Sequence, residues 1–190
     1  KIVVTRFLDK SIEVQDFGRG IPVDYNKKED CYNWELVFCD LYAGGKYNTN
    51  EGGSYEYSLG LNGLGLCATQ YASEYMEAEI HTGGYCYELS FKKGEIDGEM
   101  KKTPYDKKDT GSRIKWRPDL KVFTDIDVPL EYFQDTLKRQ SVVNAGVKFI
   151  LKNQLTETKF ETFEFVYNNG IVDYVNEFIG EEGLSTVQFW

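Results

Sequence analysis

Two short stretches carry residue types suited to holding a ligand. The first is Gln15-Asp16-Phe17-Gly18-Arg19-Gly20-Ile21-Pro22. It follows the alternating apolar residues Ile12 and Val14, which read as the end of a strand. A carboxylate at the end of a buried strand can accept a hydrogen bond from an exocyclic amine, such as that of adenine. Gly18 and Gly20 let the backbone curl and approach a ligand with no Cβ in the way, and Pro22 closes the turn. A plain strand-to-loop turn shares this pattern, so on these residues alone both readings stand. The second stretch is Ser58-Leu59-Gly60-Leu61-Asn62-Gly63-Leu64-Gly65-Leu66, which runs into a helix start at Cys67–Ala72. Free backbone N–H groups at a helix N-terminus, with the macrodipole behind them, suit a phosphate. A glycine-rich turn with no ligand is the alternative. The preceding lysine, Lys46, and the polar run up to Ser58, read as a mobile loop, favour the phosphate. No Gly-Lys-Ser/Thr follows, so this is not a Walker A loop, and no strand leads directly into it, so it is not a dinucleotide fingerprint.

The elements that must position these stretches follow from periodicity. Residues 2–8 and 11–16 alternate as a hairpin about Asp9-Lys10. A polar link precedes a helix from about Glu29 to Tyr42, with Trp34, Val37, Phe38 and Leu41 on its buried face and Ala43-Gly44-Gly45 at its end. Met76–His81, Tyr85–Phe91, Glu95–Met100 and 111–117 read as antiparallel strands, with Gly83-Gly84 as a hairpin turn. Pro129 opens a helix at its first turn, with Leu130, Phe133, Leu137 and Val142 inward, and Asn144-Ala145-Gly146 ends it. Strands at Val147–Leu151 and Glu161–Val166, a short helix at Asp173–Ile179 and a last strand at Thr186–Trp190 complete the chain. The pattern is an α+β two-layer sandwich: a mixed, mostly antiparallel sheet with helices on one face.

Composition narrows the function. The 190 residues suit one domain, and the net charge of −9 argues against this segment itself gripping a phosphate backbone. The cysteines Cys31, Cys39, Cys67 and Cys86 form no C-x-x-C pair, and His81 is the only histidine, so no zinc site is expected. Most of these thiols read as small buried hydrophobes, as in a reducing cytoplasm. His81 reads as a strand residue near the pocket mouth rather than a catalytic group. No apolar stretch approaches the length of a membrane span.

Four motifs stand in order: D-F-G-R-G-I-P at 16–22, A-G-G-K-Y at 43–47, G-L-N-G-L-G at 60–65 and T-G-S-R-I-K-W-R-P-D at 110–119. Together they resemble the ATPase domain of the B-type protein of bacterial DNA gyrase and its close relative in topoisomerase IV. These belong to the GHKL-type ATPases, shared with heat-shock chaperones, mismatch-repair ATPases and histidine kinases. The similarity runs from about Ile12 onward and takes in L-K-R-Q-S-V-V-N-A-G-V at 137–147 and Y-N-N-G-I-V-D-Y-V at 167–175. The A-G-G-K-Y motif favours the topoisomerase branch over a chaperone or repair ATPase.

The resemblance implies a Bergerat-type fold that binds ATP with Mg²⁺. It implies that Asp16 accepts from the adenine amine, directly and through a water held by Ser112, which stands where the family usually has Thr. Gly18 gives the base close approach, Ile21 and Pro22 line an apolar slot, and Arg19 lies at its mouth. Gly60, Gly63 and Gly65 turn N–H groups to the phosphates, and Lys46 sits near the terminal one. Gly20, Gly44, Gly45, Leu61, Asn62 and Leu64 complete the nucleotide-binding set. Asn62 replaces the usual His and Phe17 the usual polar residue. The family's water-activating Glu and Mg²⁺-holding Asn lie on a helix before the first strand, and a further Lys lies in the following transducer domain. None has a counterpart here, so no catalytic or metal-binding residue is assigned, and this segment is expected not to turn over ATP. Residues 1–185 are then the ATP-binding domain lacking its first helix, and 186–190 the candidate start of the transducer. The implied setting is a bacterial cytoplasm. The implied partners are ATP or an ATP-site inhibitor, the A-type topoisomerase protein, DNA and a second copy of the whole protein, with no membrane. A degenerate module of the same fold that binds nucleotide without catalysis is the alternative.

Overall fold

The computed structural model describes residues 1–42, 63–180 and 187. The A-G-G-K-Y stretch, the polar loop after it, Gly60-Leu61-Asn62 and the last strand expected at Thr186–Trp190 (Val187 apart) lie outside the described residues. The chain forms two compact units, one of residues 1–16 with 127–190 and one of residues 17–126.

In the first unit, β1 (Ile2–Arg6) and β2 (Ile12–Asp16) form the expected hairpin. Lys10 takes φ +69° at its tip, and Phe7 N–H donates to Ser11 O at 3.0 Å. β1 also pairs in parallel with β10 (Phe149–Gln154), which pairs antiparallel with β11 (Phe160–Phe165). A parallel neighbour needs a crossover, and α3 (Leu130–Val143) lies within it. Leu137 of α3 packs with Val4, Phe149 and Leu151, flanked by Leu130 and Phe133. Pro129 stands one residue outside α3 with ψ 146°, an extended cap rather than the first helical residue expected. β10 begins later than expected and continues through Lys152, Asn153 and Gln154. Ladder pairing carries these polar residues: Asn153 is opposite Arg6, whose guanidinium donates to Asn153 Oδ1 at 3.1 Å. α4 (Ile171–Ile179) starts two residues before the expected Asp173, whose carboxylate accepts from Asn169 N–H at 2.8 Å.

In the second unit, β5 (Ser73–Thr82) pairs antiparallel with β6 (Tyr85–Lys92) and with β9 (Gly111–Pro118). Met76, Ala78 and Ile80 of β5 alternate into a core with Leu89, Phe91 and Ile114. The intervening Glu77, Glu79 and His81 fall on the opposite side. α1 (Asn33–Phe38) closes this core, with Phe38 stacked on Phe91 at 5.2 Å and Trp34 and Val37 beside it. α1 is shorter than the helix expected from Glu29 to Tyr42. Its expected N-terminal part is instead a small hairpin, β3 (Tyr25–Asn26) with β4 (Cys31–Tyr32), turned by Asp30 at φ +56°. The Glu35 carboxylate then caps the first turn by accepting from Tyr32 N–H at 2.7 Å. Leu41, expected on the buried face, lies beyond the helix and is exposed. The run expected at Glu95–Met100 is split: β7 (Glu95–Ile96) stops before Gly98 at φ +93°, and β8 (Lys101–Pro104) pairs with β6. α2 (Gly65–Tyr71) buries Cys67 and Gln70. The cysteines also depart from expectation, since among the four only Cys67 is buried. Together the units show a mixed α+β fold with a mostly antiparallel sheet and few helices. No described helix is long and apolar enough to cross a membrane.

Candidate functional site

The turn after β2 belongs to the second unit and is fixed there by three contacts. Thr110 donates its hydroxyl to Gly18 O at 2.5 Å. Ile21 N–H donates to Ser112 Oγ at 3.0 Å. Gly20 takes φ +83°, and a Cβ there would lie 2.8 Å from His81 O, 3.2 Å from Thr82 Cβ and 3.3 Å from Gly111 O. The glycine is therefore required twice over, by its dihedral and by the backbone of β5 and β9 behind it. Sequence reasoning assigned Gly18, Gly20, Ile21 and Ser112 separately; these contacts bring them together. It missed Thr110, the backbone carbonyls of His81 and Gly111, and the Thr82 Cβ. The T-G-S motif contains Thr110, but only its serine was given a role.

Ser112 is buried, directly opposite Ile80 in the ladder. Its Oγ already accepts one hydrogen bond from the turn, so its own proton points elsewhere. Val23 is buried and Ile21 half-buried against the same core, whereas Pro22 and Arg19 are exposed. Asp16 is the last residue of β2, opposite Ile2, and half-buried. Strand alternation puts it on the face that carries Ile12 and Val14, both packed in the first unit's core. The acid is thus on the inward side of its strand.

Of the glycine ribbon, Gly63, Leu64 and Gly65 are described. Gly63 has φ +59°, and Leu64 caps α2, its carbonyl accepting from Ala68 N–H at 2.8 Å. Among the described residues nothing lies within 4 Å of the place a Gly65 side chain would take. Gly44, Gly45, Lys46, Gly60, Leu61 and Asn62 lie outside the described residues. Next to α2, burial pushes the Cys39 thiol up to about 11 and raises that of Cys67. Both therefore stay protonated at neutral pH and offer no nucleophile. Within the second unit the turn thus offers one hydroxyl with a proton to give, an apolar edge and close-lying backbone.

No family model matches the chain. It is 32% identical over 180 residues to the gyrase B protein of Thermotoga maritima, covering 92% of this chain and 26% of that protein. It is 33% identical over 181 residues to the gyrase B protein of Treponema denticola, covering 93% of this chain and 28% of that protein. With the B-type protein of DNA topoisomerase 4 of Escherichia coli the identity is 29% over 188 residues, 98% of this chain and 29% of that protein. The chain thus spans between a quarter and a third of the length of these relatives. Among solved structures, the ATP-binding domain of topoisomerase IV of Francisella tularensis, in complex with a small-molecule inhibitor, superposes with a TM-score of 0.75 at 27% identity, over 100% of this chain and 49% of that one. The 43K ATPase domain of Thermus thermophilus gyrase B, in complex with an aminocoumarin, shares the fold with a TM-score of 0.76 at 20% identity, over 95% of this chain and 43% of that one.

Proposed function

We propose, on the premise that this chain is a homologue of the GHKL-type ATPase domain of the B-type proteins of gyrase and topoisomerase IV, that it holds ATP in the slot beside the Asp16–Pro22 turn. Asp16 accepts from the adenine amine, and Ser112 gives its free proton to a water shared with that acid. Gly18 lets the base lie close to backbone, Ile21 and Pro22 form the apolar edge, and Arg19 covers the mouth, where a guanidinium can stack on a planar ring. N–H groups of Gly60, Gly63 and Gly65 meet the phosphates, and Lys46 the terminal one. The observation that supports this reading is the Ile21 N–H to Ser112 Oγ bond beside the wedged Gly20, which holds the turn against β5 and β9. In the whole protein, ATP binding closes two such domains as a gate in DNA strand passage and hydrolysis resets it, with the A-type protein and DNA as partners in a bacterial cytoplasm.

Mg²⁺ clamps phosphate oxygens in this chemistry. The described site residues comprise one carboxylate and one hydroxyl and do not make a Mg²⁺ cage. We propose that the 190 residues, taken by themselves, bind nucleotide without turning it over.

Calorimetry with ATP on this chain tests the reading. Asp16→Asn exchanges an acceptor-only group for a mixed donor and acceptor. The charge-assisted bond lost is worth about 1.5–3 kcal/mol, or roughly 10- to 150-fold in Kd. Equal affinity in the variant and the wild type refutes the assignment of Asp16, and phosphate release above blank refutes the absence of turnover.

A further inference from the structure

The outward face of β5 and β6 carries a cluster that the nucleotide site does not use. Glu79 and His81 alternate onto the side of β5 opposite Ala78 and Ile80, and Cys86 stands directly across from His81 in the ladder. Nε2 of His81 lies 3.2 Å from Oε1 of Glu79. One donor atom each from Glu79, His81 and Cys86 lies within 4.8 Å of the other two. All three side chains are half-buried.

We propose that Glu79, His81 and Cys86 form a site for a borderline-soft divalent cation of the Zn²⁺ class, with a fourth position left to water. Imidazole, thiolate and carboxylate are the donor types zinc takes, and three protein ligands with one open position is an established arrangement. At zinc–ligand distances of about 2.0–2.3 Å, tetrahedral donors stand roughly 3.3–3.6 Å apart. The histidine–carboxylate pair is already there, so closure asks mainly for a rotation of Cys86.

The supports around the donors fit a metal better than a plain ion pair. Arg113, opposite Glu79 on β9, holds Oε2 and leaves Oε1 toward His81. That is the outer-shell grip that orients a ligating carboxylate. Tyr105 stacks on the His81 ring at 3.9 Å between centroids and fixes its plane. Glu88 faces Glu79 from β6 and has Lys101 opposite it on β8, so Glu88 has a cation of its own across the ladder and Glu79 keeps its carboxylate for the cluster. Burial raises the Cys86 thiol, with Glu79 and Glu88 adding to the shift, so the cation must displace a proton, which leaves to solvent. The sequence hid this site because its histidine and cysteine are five positions apart across a turn, with the carboxylate two positions further back; only the hairpin register joins them.

The experiment uses the purified chain with Zn²⁺ and, as a spectroscopic probe, Co²⁺. The expected result is one Zn²⁺ per chain, proton release on binding, and an intense thiolate-to-cobalt band in the near ultraviolet. Cys86→Ser abolishes the band, and His81→Ala weakens affinity about tenfold or more, while Cys31→Ser changes neither. The wild-type cobalt spectrum needs no variant to fold. Absence of the thiolate band, a band that survives Cys86→Ser, or one lost in Cys31→Ser overturns the proposal. ATP affinity measured in parallel keeps this result separate from the nucleotide reading.

Discussion

Replacing Gly20 by Ala isolates the packing on which the turn depends. A Cβ at this position enters a left-handed backbone conformation, φ +83°, which costs an L-residue about 1–2 kcal/mol. It also meets His81 O at 2.8 Å, and that oxygen belongs to a ladder strand that cannot swing aside as a flexible side chain would. Overpacking of this kind adds about 1–3 kcal/mol. The sum, about 2–5 kcal/mol, converts at 2–4 °C per kcal/mol for a chain of this size to a fall in Tm of roughly 4–20 °C. Gly98 supplies the control: it has φ +93°, but among the described residues nothing lies within 4 Å of its would-be Cβ. Gly98→Ala is therefore expected to cost only the dihedral part, about 1–2 kcal/mol. Thermal melts of both variants, followed by circular dichroism, read the difference. If Gly20→Ala melts no lower than Gly98→Ala, the backbone of β5 does not hold the turn and the wedge reasoning fails.

Other predictions concern the rest of the fold. Asp127 accepts from Lys10 and Arg6, each at 2.7 Å, and the Lys10 hydrogen bond leads in holding its carboxyl below the usual carboxylate range. A depressed folded-state pKa gives stability above the unfolded value that is lost as pH falls through the folded one. The Tm gap between wild type and Asp127→Asn should therefore be full at neutral pH and shrink on acidification below about pH 4; a gap unchanged at acid pH refutes the pairing. Gln70 is 1% exposed, and neither amide atom has a hydrogen-bond partner among the described residues. Gln70→Met keeps the length and removes the buried polar atoms, so stability should rise by about 1–3 kcal/mol in urea melts; a loss of stability shows that the amide is satisfied.

Where the sequence could be read, the reason was local. The β1–β2 hairpin was legible because alternation and a two-residue turn are contained in sixteen positions. The strands β5 and β6, and the face of α3 bearing Leu130, Phe133 and Leu137, followed from periods of 2 and 3.6. Where it failed, partners far along the chain decided. β8 has four exposed residues and no apolar alternation, so only its pairing with β6 defines it. The extra residues of β10 are polar and are held by β1, which precedes them by more than a hundred positions. The hairpin that shortens α1 depends on Asp30 adopting a positive φ, which helical spacing alone does not signal. The same split governs the candidate site. Asp16 and the glycines stand in one run, whereas Ser112 was assigned only through a family pattern and its bond to Ile21, across 91 positions, was not anticipated.

Register unites these observations. Ser112 faces Ile80 and Gly111 faces His81 on successive rungs of the β5–β9 ladder, and His81 faces Cys86 on the other side of β5. A slip of one residue between β5 and β9 turns Met76, Ala78 and Ile80 outward and brings Glu77, Glu79 and His81 into the core. The buried apolar row therefore fixes the register far more strongly than any ligand contact does. The position of the Ser112 hydroxyl beside the turn and the meeting of His81 with Cys86 come from it without further stabilisation of their own. It follows that substitutions in the inward row of β5 should disturb the slot and the outward cluster together, whereas changes at Asp16 or Cys86 should each leave the other site intact.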